Sequence, residues 1–339
     1  MSQAIGIALI GAGRIGLEHA RNLANMPEVK LVAVADPNGD AAAQAALLSQ
    51  AERTFRDPAE AIAYPGVDAV VIASPSVLHA EHIRLAAHFK RAIFCEKPIA
   101  LTLAEAEAVA TAVRDAGVPF QIGFQRRYDP GYIAARERLE SIGPVEQFHA
   151  VTRDPFPPSP AFLKASGGLF IDLAIHDFDL ARFLVGDVAA VQAWGRVFVD
   201  PEIAVAGDVD TTITVLEFAN GALGVIENSR RAVYGYDIRT EIFGAQGMLV
   251  IHALPKTPLY WYSKSGVIVD HFHFFLDRFQ SAYQAELAAF CHALRTGKPP
   301  TPNLDDALQA LAIGLAAAQS VSEGRRVAVA EVLNHEDCI

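Results

Sequence analysis

The stretch "IGIALIGAGRIG", residues 5–16, decides the fold of the first half of the chain. An apolar run ends there in a G-x-G-x-x-G pattern formed by Gly11, Gly13 and Gly16, and a helical pattern follows it. Glycines at this spacing allow a tight turn from a strand into a helix, and they let the backbone come close to a bound pyrophosphate. The pattern alone also fits a plain glycine turn in another α/β fold, so its surroundings must decide.

Asp36 provides the second part of a dinucleotide site. It ends the next predicted strand, 30–36, and lies 20 residues after Gly16. A carboxylate at this position can bind the adenosine ribose hydroxyls while the pyrophosphate rests on the helix N-terminus. It would repel a 2′-phosphate, and no cation follows it in "DPN". The sequence therefore predicts NAD rather than NADP as the cofactor, held by Gly11, Gly13, Arg14, Ile15, Gly16 and Asp36.

Short apolar strands alternate with helices up to about residue 124. The predicted strands are 5–11, 30–36, 68–74, 92–96 and 119–124, and the predicted helices include 17–26, 77–89 and 103–117. Continuous apolar strands that alternate with helices are typical of a parallel sheet covered on both faces. We therefore expect an NAD-binding Rossmann domain with a doubly wound parallel sheet over residues 1–124.

The pattern changes beyond about residue 145. The strand-like runs 190–199, 211–229, 237–251 and 257–275 contain Asn-Gly and Ser-Gly breaks, which indicate hairpin turns. Two amphipathic helices, 277–296 and 304–323, follow. The sequence predicts an α+β domain over residues 125–339, with a large, mostly antiparallel open sheet.

Composition excludes several classes of function. The 339 residues carry a net charge of −11 and contain no basic run, which argues against a nucleic-acid partner. No apolar run reaches the roughly 18 residues of a membrane span, and the first residues do not resemble a signal peptide. Cys95, Cys291 and Cys338 are odd in number and far apart, as expected for reduced thiols. We therefore expect a cytoplasmic protein.

The stretch "LFIDLAIHDFDLARFL", residues 169–184, places charged side chains in an apolar background. As a single helix it would be largely buried, with Asp172 and His176 on one face. Burial of a carboxylate costs several kcal/mol unless the group is paired or hydrogen-bonded. The residues alone leave three interpretations: a structural hydrogen-bonded pair, two ligands of a metal near His271 and His273, or part of an active site.

Several spaced motifs carry a family resemblance. Besides the glycine segment they are "CEKPIALTLAEAEAV" (95–109), "GFQRRYDPGY" (123–132), "TRDPFPP" (152–158), "GGLFIDLAIHDFDLARFLVG" (167–186) and "NSRRAVYGYD" (228–237). Together they resemble the glucose–fructose oxidoreductase/inositol dehydrogenase (Gfo/Idh/MocA) family over nearly the whole chain, and its inositol 2-dehydrogenases in particular.

The resemblance implies hydride transfer from a ring alcohol to NAD, with oxidation of myo-inositol to its 2-keto form as the leading reaction. Lys97, Asp172 and His176 match the catalytic positions of the family. These residue types suit the chemistry, because an imidazole that titrates near neutral pH can take the hydroxyl proton. Asp172 can orient that imidazole or hold a neighbouring hydroxyl, and the cation of Lys97 can ease deprotonation of the reacting oxygen. No metal is expected, and Asp177 and Asp179 are predicted to be non-catalytic.

Further binding residues follow from the same resemblance. On the cofactor side it implies Ser74, Pro75, His79, Glu96, Lys97 and Gln125. On the polyol side it implies Lys97, Arg127, Asp154, Asp172, His176, Tyr234 and Tyr236. From the residues alone, the two tyrosines could instead cover the sheet, and Lys97 could be a surface lysine at a strand end.

The resemblance also bears on assembly and on one peptide bond. It implies a homotetramer, in line with the apolar alternation of the second sheet, and it favours a cis Lys97–Pro98 bond. Two alternatives remain open on the residues. One is the same chemistry on another inositol isomer or a sugar, and the other is a non-catalytic dinucleotide-binding sensor.

Overall fold

The structure is a computed structural model, and it describes residues 4–334. Within these residues the chain forms two compact units. The first comprises the residues up to Tyr128 together with Ser281–Leu311, and the second comprises Asp129–Gln280 together with the residues from Ala312 onward. This division differs from the predicted segments 1–124 and 125–339, because Leu287, Phe290 and Cys291 pack into the core of the first unit. An amphipathic pattern shows that a helix is packed on one side but does not say against which unit.

Six strands form the sheet of the first unit. They are β1 (Ile5–Ile10), β2 (Val29–Ala35), β3 (Arg53–Phe55), β4 (Ala69–Ile72), β5 (Ala92–Glu96) and β6 (Phe120–Gly123). The order is β3-β2-β1-β4-β5-β6, and every pair is parallel. The order reverses between β1 and β4, where doubly wound sheets bind ligands at the carboxyl ends of their strands. The predicted Rossmann sheet is confirmed.

Helices connect these strands. They are α1 (Arg14–Ala24), α2 (Gly39–Ser49), α3 (Pro58–Ala63), α4 (His79–His88) and α5 (Leu103–Ala116). The side chains of Asn38, Asp57 and Thr102 cap α2, α3 and α5 by accepting backbone N–H groups of the first turn. Helix α1 begins directly after Gly13, three residues before the predicted start at residue 17, so the glycine loop leads straight into a helix N-terminus.

The second unit contains a seven-stranded sheet and a separate hairpin. The large sheet has the order β12-β11-β7-β10-β9-β8-β15, and its only parallel pair among the described residues is β7 with β10. Its strands are β7 (Val145–Arg153), β8 (Val188–Arg196), β9 (Thr211–Phe218), β10 (Leu223–Ser229), β11 (Asp237–Gly244), β12 (Gly247–Ile251) and β15 (Val327–Ala328), and the hairpin strands are β13 (Pro255–Ser263) and β14 (Gly266–His271). The mostly antiparallel sheet is confirmed, but β7 was not predicted, and the run 257–275 forms the separate hairpin.

The remaining helices complete the fold. They are α6 (Pro130–Arg138), α7 (Pro160–Ser166), α8 (Gly168–Asp172), α9 (Ile175–Leu184), α10 (Pro201–Val205), α11 (Phe275–Thr296), α12 (Leu304–Glu323) and α13 (Val329–Leu333). Phe279 has non-helical backbone angles inside α11, one residue before the second unit ends at Gln280. Among the described residues, no helix is long and apolar enough to cross a membrane.

The large sheet has one covered face and one open face. Leu216, Ile226 and Ile242 are buried in the core of the unit together with residues of α8 and α9. The opposite face carries large apolar side chains that stay exposed, and we call it the outer face; it includes Trp194, Ile213, Leu223, Phe243 and Met248. Side chains alternate along a strand, so one apolar face is buried while the other remains open.

Candidate active site

The glycine loop meets different requirements at its three glycines. Gly11 has a φ of 96°, and a Cβ there would lie 2.6 Å from the carbonyl oxygen of Ala73. At Gly16 a Cβ would lie 2.0 Å from the carbonyl oxygen of Gly11. At Gly13 a Cβ would meet nothing within 4 Å, so open space lies over the residue that precedes α1. This open space at a helix N-terminus fits a bound pyrophosphate.

Asp36 is held beside the glycine loop at the carboxyl end of β2. Its Oδ2 accepts a 2.8 Å hydrogen bond from the amide of Ala12, and its Oδ1 accepts one of 2.8 Å from the amide of Asn38. The carboxylate is therefore fixed in position beside the glycine loop, as the sequence predicts. The open space over Gly13 and this fixed acceptor together fit a dinucleotide without a 2′-phosphate.

His79 joins the ends of two neighbouring strands. Its Nδ1 lies 2.6 Å from the carbonyl oxygen of Pro98, after β5, and its Nε2 lies 2.8 Å from that of Ser74, after β4. Burial lowers the pKa of His79, although both hydrogen bonds act in the opposite direction. Both ring nitrogens thus face the backbone, so His79 fixes the positions of Ser74 and Pro98 at these strand ends.

Lys97 directly follows β5, and its peptide bond to Pro98 is cis, as predicted. The preceding Glu96 points into the core of the unit, where its Oε1 lies 2.7 Å from Nε2 of His19. Glu96 was expected on the cofactor side, but the structure engages its carboxylate with a buried histidine. It therefore supports the strand end that carries Lys97.

A buried carboxyl group of α11 lies near this pair. Glu286 is fully buried, and its two oxygens have no hydrogen-bond partner among the described residues. Ligand atoms of His19, Glu96 and Glu286 lie within 4.8 Å of one another, a grouping that could hold a metal ion. Burial, reinforced by the charge of Glu96, raises the pKa of Glu286 well above its ordinary value. A proton on Glu286 accounts for the cluster without a metal, because it relieves the repulsion between the two carboxyl groups.

Replacement of Glu286 with methionine is expected to stabilise the protein by about 1–3 kcal/mol, the cost of a buried polar group that has no hydrogen-bond partner. The pKa of Glu286 is higher in the folded state than in the unfolded state. Its contribution to stability is therefore complete below the unfolded-state pKa and is lost as the pH rises through the folded-state pKa. The gain in the variant should therefore be larger near about pH 8 than near about pH 5.

Thermal unfolding of both proteins across this pH range measures the effect. Glu286→Gln is the matched control, because it removes the charge and keeps a polar group, so it should share the pH trend with a smaller gain. A stability difference that does not change with pH would contradict the raised pKa.

In the second unit the stretch 169–184 is not one helix. Helix α8 ends at Asp172, and α9 begins at Ile175. The amides of Leu173 and Ala174 both donate to the carbonyl of Leu169, at 2.9 and 3.0 Å, so the regular hydrogen-bond ladder is interrupted there. The expectation that Asp172 and His176 share one continuous helix face is therefore wrong. The bond from Ala174 spans five residues, as in a π-type turn, and such turns are frequent at functional sites.

Asp172 has a partner that the sequence interpretation missed. Nη1 of Arg230 lies 3.2 Å from Oδ2 of Asp172 and 4.0 Å from Oδ2 of Asp154. Arg230 is 1% exposed and directly follows β10. The available signal was the arginine pair Arg230–Arg231 at the end of an apolar strand, in the motif that also contains the two tyrosines. If Asp172 has a purely structural role, its partner in that role is therefore Arg230, whether or not His176 also takes part.

Asp177 attaches the helix of His176 to the sheet. Its Oδ1 accepts a 2.7 Å hydrogen bond from Oγ1 of Thr152, and its Oδ2 accepts one of 2.8 Å from Nδ2 of Asn228. Thr152 and Asn228 are partners across the parallel pair β7–β10. The two bonds offset the cost of burying this carboxylate. The prediction that Asp177 is non-catalytic agrees with this attachment, although the residue is buried.

The remaining predicted polyol residues lie in varied surroundings. The hydroxyl of Tyr234, which is about half exposed, donates to Oδ2 of Asp237 at 2.6 Å, and burial raises the pKa of this tyrosine. Tyr236 is buried, and its ring meets that of Phe279 edge-on at 6.2 Å. The structure thus leaves Tyr234 accessible and packs Tyr236 into the core.

Two predicted residues follow β6 in the first unit. Nη2 of Arg127 donates to Oδ1 of Asp306 at 3.0 Å, so this arginine is already engaged in an ion pair with α12. Gln125 is buried. Neither position was distinguishable from an exposed one in the sequence.

The first unit combines a doubly wound parallel sheet with a glycine loop, a fixed Asp36 and a lysine at a strand end. This is the arrangement of an NAD-binding oxidoreductase. Residues 5–124 match the oxidoreductase family with an NAD-binding Rossmann fold, and residues 132–250 match the GFO/IDH/MocA C-terminal domain. The chain belongs to the Gfo/Idh/MocA family, and the resemblance carried by its motifs is confirmed.

Relatives extend this assignment over nearly the whole chain. Myo-inositol 2-dehydrogenase of Thermotoga maritima is 40% identical over 331 residues, which are 96% of this chain and 99% of the relative. The scyllo-inositol 2-dehydrogenase (NAD(+)) of Bacillus subtilis is 39% identical over 96% of this chain and 97% of its own. The structure of scyllo-inositol dehydrogenase from Lactobacillus casei with bound NAD(H) and scyllo-inositol has a TM-score of 0.91 at 29% identity, covering 97% of this chain and 100% of that one.

Proposed function

We propose that this oxidoreductase oxidises a ring alcohol of an inositol to the ketone, with myo-inositol and its 2-keto product (scyllo-inosose) as the leading pair. The observation that carries the proposal is the set of acid–base residues in the second unit. Asp172, held by Arg230, ends one helix, and His176 lies at the start of the next. A sensor of dinucleotides has no need of such a set. Inositol 2-dehydrogenases among the relatives support the choice of substrate.

His176 takes the hydroxyl proton in this proposal. Its Nδ1 is buried, so Nε2 is the ring nitrogen that receives the proton. Asp172 accepts a hydrogen bond from a neighbouring hydroxyl or orients the imidazole, and the cation of Lys97 stabilises negative charge as it develops on the reacting oxygen. Bound NAD supplies the hydride acceptor. The glycine loop and Asp36 hold it, and the alcohol loses one hydride and one proton as the ketone forms.

A substrate panel tests the proposal. Purified protein with NAD is assayed against myo-inositol, scyllo-inositol, other inositol isomers and ring sugars, with NADH formation and the ketone product both measured. Myo-inositol is expected to give the highest kcat/KM. A higher value for scyllo-inositol would favour the alternative isomer, which a second group of relatives supports. Normal binding of NAD without turnover of any polyol would favour the sensor.

The charge of Asp36 is expected to set the preference for NAD. Asp36→Ser should weaken NAD binding by roughly 10- to 100-fold, as expected for loss of a charged hydrogen bond, and should reduce the bias against NADP. Binding of both dinucleotides by fluorescence measures the change. Asp36→Asn is the matched control, because it removes the charge while its one oxygen can still accept the amide of Ala12. Equal use of NAD and NADP by the wild type would refute this role.

The outer face supports a proposed homotetramer. Trp194 and Ile213 are cross-strand partners on this face, and each is 50% exposed. Apolar faces of this size are seldom left open in a monomer, and symmetric closure commonly covers them. Light scattering should report four times the mass of the chain, and Ile213→Glu should lower it. A monomer at micromolar concentration would contradict the assembly.

We also propose a cytoplasmic location. Cys95 and Cys291 are free and buried, and burial raises the pKa of both, that of Cys291 to about 12, so both are stable as thiols. Cys338, the third thiol in the prediction, lies outside the described residues.

A further inference from the structure

Arg230 lies where the only described parallel strand pair of the second unit ends. Arg153 is the last residue of β7 and Ser229 the last of β10, and the two are register partners. Asp154 and Arg230 are the residues that follow. The amide of Asp154 donates to the carbonyl of Ser229 at 2.9 Å, and the amide of Arg230 donates to that of Asp210 at 2.8 Å. Both backbones are therefore fixed at the same edge of the sheet.

The guanidinium of Arg230 is used unevenly. Nη1 faces two carboxylates, those of Asp172 and Asp154, at 3.2 and 4.0 Å. Nε and Nη2 are buried without a hydrogen-bond partner among the described residues. An arginine cannot lose its proton in a protein, and a buried cation with unsatisfied N–H groups is costly. Stability alone is therefore a poor reason to place an arginine here.

The two carboxylates differ from the guanidinium in accessibility. The side chain of Arg230 is 1% exposed, whereas those of Asp172 and Asp154 are 15% and 22% exposed. The cation therefore lies behind two acceptors that a ligand can reach. Without the cation, two carboxylates that both face one nitrogen would repel each other, and one of them would move away or take up a proton.

We infer that Arg230 is a positioning residue that holds Asp172 and Asp154 as a pair of ionised acceptors for neighbouring hydroxyls of the substrate. The inference rests on the proposed function and extends it, because it commits the substrate to carry hydroxyls on adjacent ring carbons. Arg230 itself does not touch the substrate. Its effect passes through the charge and orientation of the two aspartates.

Steady-state kinetics of Arg230→Met with myo-inositol test the inference. Loss of the cation should lower kcat/KM by about 10²-fold or more, leave NAD affinity unchanged and move the acidic limb of the pH profile to higher pH. Arg230→Lys should recover part of the activity, because an ammonium group restores the charge without the planar fork. In the wild type, a deoxy-inositol that lacks the neighbouring hydroxyl should have a lower kcat/KM than myo-inositol. This difference should shrink in Arg230→Met, since the acceptor pair is already disturbed there.

The matched control is Arg231→Met, the same change one residue later at an exposed position. It should keep wild-type kinetics and pH profile. A folded Arg230→Met enzyme with the wild-type pH profile and near-normal kcat/KM would overturn the inference. If Arg230→Met does not fold, Arg230→Gln decides, because it also removes the cation while keeping a polar side chain, and a wild-type pH profile there would overturn the inference as well. The wild type in the same assay separates the two proposals. A wild type that oxidises no polyol would refute the proposed function and with it the inference, whereas an active wild type with an unaffected Arg230→Met variant would refute only the role of Arg230.

Discussion

His176→Ala is expected to lower turnover by about 10²–10⁴-fold, the usual contribution of one positioned base. Binding of NAD should be unchanged, because the glycine loop and Asp36 belong to the first unit and His176 to the second. The acidic limb of the kcat profile, where protonation of the imidazole removes the base, should disappear in the variant. The measurement is kcat against pH, with NAD affinity determined separately by fluorescence.

The structure sharpens what each outcome means. Asp172 has Arg230 as a partner, so loss of His176 does not leave that carboxylate without a cation. A large loss of stability in His176→Ala is therefore not expected, and a fall in kcat can be attributed to chemistry. His149→Ala serves as the control, because His149 is an exposed histidine of the same unit that bonds to Glu227. A folded His176→Ala enzyme with near-wild-type kcat would remove the base from the mechanism.

Lys97→Met is expected to lower kcat by about 10²–10³-fold, the scale measured when one donor to a developing oxyanion is removed. Lys97 directly follows β5 and lies in the strand-end region where doubly wound sheets bind ligands. The variant keeps the length of the side chain and removes its charge and donors. NAD affinity should change far less than kcat. Single-turnover kinetics with saturating NAD measure the chemical step directly.

Lys298→Met provides the comparison for this variant, because Lys298 is an exposed lysine of the same unit. It should keep wild-type kinetics. If Lys97→Met raised KM and weakened NAD binding equally while kcat stayed unchanged, the lysine would serve binding only. That outcome would leave deprotonation of the substrate to His176 alone.

Much of the fold follows from local patterns in the sequence. Period and composition predicted five of the six strands of the first sheet within about two residues, because each is a continuous apolar segment between glycine, proline or polar residues. The hairpins around Asn220 and Ser265 were equally visible from their turns. Strand β3, with three residues, and strand β7, with mixed polar and apolar residues, carry weaker local signals and were missed.

The candidate site divides in the same way. Gly11, Gly13, Gly16 and Asp36 follow from spacing within one βαβ unit, and Lys97, Asp172 and His176 from motifs that are contiguous in the chain. The break between α8 and α9 was not visible, because Leu173 and Ala174 are ordinary helical residues. The carbonyl of Leu169 accepts hydrogen bonds from two amides there. Whether a helix is interrupted in this way depends on what it packs against.

Sequence by itself determined the class of fold and the cofactor, and it supplied the reactive side chains that we propose, because spacing, periodicity and motifs are local properties of the chain. Only the tertiary structure decided which charged groups meet. Arg230 and Asp172 are 58 residues apart in sequence. Glu286 and Glu96 come from α11 and β5, and His79 reaches Pro98 across 19 residues. Whether a buried charge is costly or useful depends on such distant partners, since burial sets the penalty and only a neighbour in space can offset it.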